Sequence, residues 1–237
     1  MEFILYQNHA FSRKKAYDRV NVFVQRCGFM ERQNTSSINR LLGLLGIIAV
    51  ILAWLSILLA IIVSGCFNIV SMALSDLGDW VSACNGDPLC ISMCNRLSEP
   101  IFNYGLIISG TLLAITTMGL YKFSKSYPIF ITVAGITLAL IGFLPERFGI
   151  YHFMSALAFF LTLLIAMIVY SVINRRKGLL SKMTLILAFV SFIGLVLFIA
   201  IELGFIDLGY AIPEIIGALP ASIWISLLFY NYLIKRS

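Results

Sequence analysis

Six long apolar runs interrupt this 237-residue chain and leave little of it for any other architecture. A helix advances about 1.5 Å per residue, so about 20 apolar residues cross the hydrocarbon core of a bilayer. Leu41–Val63, Ile101–Tyr121, Ile129–Leu144, Phe153–Ile173, Met183–Ile201 and Ile215–Ile234 meet or approach that length without an internal charge. The hydrophobic fraction is 60% and the charged fraction 12%, against roughly a quarter charged in a soluble domain. The expected fold class is therefore all-α, a polytopic membrane bundle of six transmembrane helices over residues 41–234. A basic segment, residues 1–40, precedes it.

The polar segments between the runs sort the charges. Of 17 Lys and Arg, all but Arg96 and Arg147 fall on alternate segments, beginning with the N-terminal one. The other segments carry Asp76, Asp79, Asp87, Glu99, Glu146, Glu202, Asp207 and Glu214, most of the 11 acids. Lys and Arg beside membrane spans stay on the cytoplasmic side, so both termini are expected in the cytoplasm of a multi-pass cell-membrane protein. Segment 64–99 is then extracytoplasmic. The third run is short and bounded by Pro128 and Pro145. The charge pattern retains it, because without it Arg175, Arg176, Lys177 and Lys182 would move to the acidic side. The net charge of +6 is spread along one membrane face, which suits anionic lipid and not nucleic acid. Membrane lipids are the expected partners, together with a membrane protein at most; nothing in the sequence sets the oligomeric state.

Two readings stand for the first residues. Ala16, Val20, Phe23, Val24 and Cys27 share a helical face with basic residues elsewhere, the pattern of an amphipathic helix on the inner leaflet. The other reading starts the protein at Met30. Within the spans, Gly105-xxx-Ser109, Gly110-xxx-Ala114 and Ala218-xxx-Ser222 place small residues at helix-packing spacing. Pro220 is expected to kink the sixth helix.

Cys66, Cys84, Cys90 and Cys94 all lie in segment 64–99. An even number of cysteines in an exported loop points to disulfides, here with three pairings open. The C-x5-C-x3-C spacing lacks the paired C-x2-C units of structural zinc. No metal is expected: His152 is the one histidine outside the N-terminal tail, so a three-histidine zinc site cannot be assembled. Phosphate loops and dinucleotide fingerprints are absent, and no cofactor is expected.

Ionisable groups at span ends carry the remaining chemistry. The candidate binding residues are Ser75, Asp76, Asn103, Glu146 and His152, all expected at one membrane interface. His152 and Ser155 share a helix face. Asp87, Asp207 and Glu214 read as solvated carboxylates, with Glu214 also suiting a helix N-terminus; Glu202 stands between the two groups.

Four short motifs carry a family resemblance. They are Ser75-Asp76-Leu77-Gly78, Phe102-Asn103-Tyr104-Gly105, Gly142-Phe143-Leu144-Pro145-Glu146, and then His152. In that order, with six spans, the chain resembles the prokaryotic integral membrane family catalogued as domain of unknown function 998. Leu144 stands where that family's pattern has Phe, and Glu146 where it has a displaced Asp. The resemblance implies a six-span fold and a cluster of Ser75, Asp76, Asn103, Pro145 and His152. It implies no activity. The expected function is binding of a lipid headgroup or partner protein in a polar pocket. The alternative is a lipid hydrolase or transferase in which His152 acts with Asp76 or Glu202; a small transporter ranks behind both.

Overall fold

The computed structural model describes residues 37–175 and 178–234, and the readings made for residues 1–36 lie outside it. Six helices are long and apolar enough to cross a membrane: α1 (Ser37–Ser64), α4 (Ser98–Thr116, extended as a 3-10 helix to Lys122), α5 (Ser126–Phe143), α6 (Ile150–Asn174), α7 (Leu179–Glu202) and α8 (Ala211–Phe229). They match the six runs, each shifted by a few residues. Between α1 and α4 the segment is not a plain loop. It folds into a 3-10 turn, Leu74–Gly78, and two short helices, α2 (Trp80–Ala83) and α3 (Pro88–Met93). Strands are absent among the described residues.

Helices adjacent in sequence pack side by side from α4 through α8. The first helix closes the arrangement, because Ser56 meets Gly105 of α4 while Trp54 donates to Ser222 Oγ of α8 at 3.0 Å. The outer faces carry Leu55, Ile62, Ile186 and Phe189, each more than half exposed. Such a surface would be unstable in water but is what hydrocarbon demands.

Small residues set the helix spacing. A Cβ on Gly110 would lie 2.5 Å from the Gly135 carbonyl oxygen and the Ala139 nitrogen, so α4 and α5 touch backbone to backbone. Lipid removes the hydrophobic incentive for helix association, and close van der Waals packing of this kind replaces it. Buried hydroxyls stay cheap by bonding their own helix. Thr116, Thr137, Ser155, Thr162 and Thr184 donate to carbonyls three or four residues back. Pro220 sits inside α8.

Two disulfides clamp the segment after α1. Cys66–Cys94 joins its two ends with Cα atoms 5.3 Å apart, and Cys84–Cys90 joins α2 to α3 across 5.7 Å. A second tie comes from the α7–α8 connection, where Gly209 and Ala211 donate to the carbonyls of Val70 and Met72. Trp80 anchors the segment: it is fully buried and donates through Nε1 to Ser98 Oγ at 2.6 Å.

Candidate functional site

At the disulfide-bearing end, the four sequence motifs interlock. The 3-10 turn begins at Leu74 and places an acid in its first turn, where a carboxylate satisfies free backbone donors. Asp76 Oδ2 accepts from the Ala73 amide at 2.8 Å. Ser75 donates to Glu146 Oε1 at 2.7 Å, linking the turn to the α5–α6 connection. Asn103 Nδ2 donates to the Gly78 carbonyl at 2.9 Å, linking it to α4. Gly78 packs against Asn103 and Phe102 so closely that no side chain fits. Pro145 precedes the short 3-10 turn that carries Glu146. His152, one turn into α6, bonds through Nδ1 to the Leu144 carbonyl at 2.6 Å.

Glu214 departs from its reading as a solvated carboxylate. It is half-buried, and Oε2 accepts from the Leu74 amide at 2.7 Å. The first turn of α8 directs it toward the start of the 3-10 turn, whose unpaired amide needs an acceptor. Asp87 and Asp207 are exposed, and Asp87 caps α3 by accepting from Leu89. Glu202 is exposed at the end of α7 and accepts from Tyr210 Oη at 2.7 Å.

Burial pushes the Asp76 carboxyl up to about 8, reinforced by the charge of Glu146 and a hydrogen bond with it. Tyr210 is pushed up to about 12, first by burial and then by its bond to Glu202. Asp79 goes the other way. Burial works against its charge, but the Arg147 backbone amide and guanidinium and the Ser82 hydroxyl outweigh that and lower it.

Several of the residues above line a pocket of about 410 Å³. Its polar lining is Ser75, Ser82, Glu146, His152, Glu202, Tyr210 and Glu214; Phe153 and Phe198 form an apolar wall. Among the described residues neither Lys nor Arg lines it. A second cavity, about 100 Å³ and almost wholly apolar, continues into the bundle between α1, α4, α5, α6 and α8. Ser75, His152, Ala156 and Glu214 line both, so they form the junction. Asn103 and Asp76 line neither: they build the wall behind.

The residues weighed for catalysis are separately engaged. A carbonyl oxygen only accepts, so His152 Nδ1 carries the hydrogen, and neutral imidazole then presents Nε2 as an acceptor. The partner orienting the ring is thus a backbone carbonyl and not Asp76 or Glu202. Among the described residues no group of three or more His, Cys, Asp or Glu is disposed to hold a metal ion.

Glu214, Phe153, Phe198 and Tyr210 were not legible as site residues. Phe198 and Glu202 are four apart and so share a face of α7. That spacing was the one signal of them in the sequence.

Fold and site together define a six-span helical membrane protein whose polar pocket leads into its own apolar interior. The chain belongs to the family described as protein of unknown function (DUF998), which matches residues 47–231 and so includes all four motifs. No curated protein and no solved structure matches it.

Proposed function

We propose that this membrane protein binds the headgroup of a membrane lipid in the pocket at its disulfide-bearing end, on the extracytoplasmic side. The observation that carries the reading is the junction: one polar pocket and one apolar cavity share Ser75, His152, Ala156 and Glu214. An amphiphile needs both environments in that order. Water alone does not suit the lower cavity, since apolar cavities of this size stay dry or take an apolar guest. A partner protein docking on the same end would use the pocket but gain nothing from the cavity. The orientation rests on the charge asymmetry and on disulfides belonging to an oxidising compartment.

A hydrolase or transferase reading draws on Nε2 of His152 facing the pocket. It is weaker, because general-base histidines are oriented by a partner that strengthens them, and here Asp76 and Glu202 bond elsewhere. The test is lipid analysis of the protein purified with its surrounding membrane, comparing wild type with His152→Ala. Selective enrichment of one lipid class in wild type and its loss in the variant are expected. Identical lipid profiles would count against His152 as a headgroup contact.

A further inference from the structure

If a lipid headgroup enters the pocket, the pocket's own charges restrict which headgroup it can be, so the inference rests on lipid binding. Three carboxylates line one pocket, Glu146 from the α5–α6 connection, Glu202 from α7 and Glu214 from α8. They are close enough for Glu146 and Glu214 to act on one another and on Tyr210 through space. The two arginines at this end of the bundle are paired with other acids. Arg147 pairs with Asp79 at 2.9 Å and Arg96 with Glu99 at 3.3 Å. A phosphate or sulfate group entering here would meet acidic side chains on three sides and, among the described residues, no cation.

A second, independent feature points the same way. His152 is 9% exposed and lines both cavities, with Nδ1 committed to Leu144 and Nε2 without a partner among the described residues. The side chain is nine-tenths buried, and its open ring nitrogen at the junction can take a hydrogen bond from a donor. The wall beside it is aromatic: Phe153 stacks on Phe198 with centroids 5.9 Å apart, and Tyr210 lies 5.2 Å from Phe198. Aromatic faces attract cations within about 6 Å.

We propose that the ligand is an amphiphile whose headgroup is a protonated amine. Its N–H groups would be received by Glu146, Glu202, Glu214 and His152 Nε2, and its tail by the apolar cavity beneath. Charge-assisted N–H···O bonds are about twice as strong as neutral ones, so an ammonium bearing hydrogens is favoured over a trimethylated one. Two sources share this chemistry, an aminophospholipid and a long-chain amine without phosphate.

The experiment uses the full chain in nanodiscs of phosphatidylglycerol, with retained lipid counted by native mass spectrometry. Phosphatidylethanolamine, phosphatidylcholine, a sphingoid base and its neutral N-acetyl derivative are added in turn. Retention of phosphatidylethanolamine or the sphingoid base about tenfold over the other lipids is expected, and whichever is retained identifies the source. Glu202→Gln and Glu146→Gln keep oxygen acceptors for Tyr210 and Ser75, so each tests charge without unmaking the fold. Each is expected to lower that retention about threefold to tenfold. Equal retention of phosphatidylcholine, phosphatidylglycerol or the N-acetyl derivative, or no effect of either variant, would overturn the amine. If a lipid is held without headgroup preference, only this inference falls. If none is held above the bulk composition, lipid binding falls with it.

Discussion

His152 Nδ1 lies 2.6 Å from the carbonyl oxygen of Leu144, so the first turn of α6 holds the last carbonyl of the α5 end in place. That carbonyl precedes Pro145, which begins the turn carrying Glu146. The histidine therefore shapes the pocket with one nitrogen and faces it with the other. Replacing His152 by Ala leaves a carbonyl unpaired and is expected to cost about 1–3 kcal/mol. His152→Asn, whose amide N–H can replace Nδ1, should keep most of that stability while losing the pocket-facing acceptor. Thermal unfolding in detergent separates the two; equal losses would mean that the Leu144 bond is not what the ring contributes.

Asp79 has no exposed surface and one of its oxygens, Oδ1, has no partner among the described residues. Its other oxygen takes both the backbone amide and Nε of Arg147 at 2.9 Å. Arg147→Met should destabilise by about 2–3 kcal/mol, because a buried charge loses a charged donor. Asp79→Asn in the same chain should recover part of the loss. Additive effects in that double-mutant cycle would show the pair to be uncoupled.

Asp76 sets a pH dependence. Its folded value, about 8, lies above the ordinary 3.8, so the folded state holds a proton that the unfolded state has released. Stability from this group is therefore complete below about pH 4 and is lost as pH rises toward about 8, by at most about 1.4 kcal/mol per unit. The carboxylates acting on it are Glu146 and Asp79. Asp79, shifted downward, changes stability only on the acid side, and Tyr210 only between about 10 and about 12. Asp76→Asn mimics the protonated form and should reduce the slope of the midpoint-against-pH curve between pH 4 and 8. An unchanged slope would remove Asp76 as its source.

The disulfides give a further test of topology and stability. Cys66–Cys94 closes 28 residues and Cys84–Cys90 closes 6. Chain-entropy arguments put their loss at about 3.6 and about 2.2 kcal/mol, so Ser replacement of the longer bridge should lower the melting midpoint more. After reduction in intact cells, an impermeant thiol reagent should label Cys84 or Cys90 and spare Cys27. Labelling of Cys27 alone would reverse the orientation.

Much of the architecture was legible because hydrocarbon imposes one-dimensional rules. A span must be long, apolar and uncharged, and those properties are read directly from Leu41–Val63 or Met183–Ile201. Even the two exceptions to the charge rule have a structural reason: Arg96 and Arg147 each pair with an acid at the same end. What could not be read was convergence across distance. Glu214 looks like any carboxylate opening a helix, and only the folded bundle brings it to the Leu74 amide, 140 residues away in sequence. The cysteine pairing was equally hidden, since four cysteines in one segment allow three pairings and only three-dimensional proximity selects one. Asn103 was legible as important but not for its reason. It ties α4 to Gly78 and does not line the pocket.

The central claim is that a lipid occupies the pocket with its tail in the cavity. A phospholipid bearing a photoreactive diazirine on an acyl carbon near the glycerol tests it most directly, with adducts mapped by peptide mass spectrometry on the full chain. Adducts on the buried cavity residues Phe102, Leu106 and Phe159, 3%, 3% and 9% exposed, are the predicted result. Adducts confined to outward-facing residues such as Leu55, Ile186 and Phe192, which any surrounding lipid reaches, would contradict it.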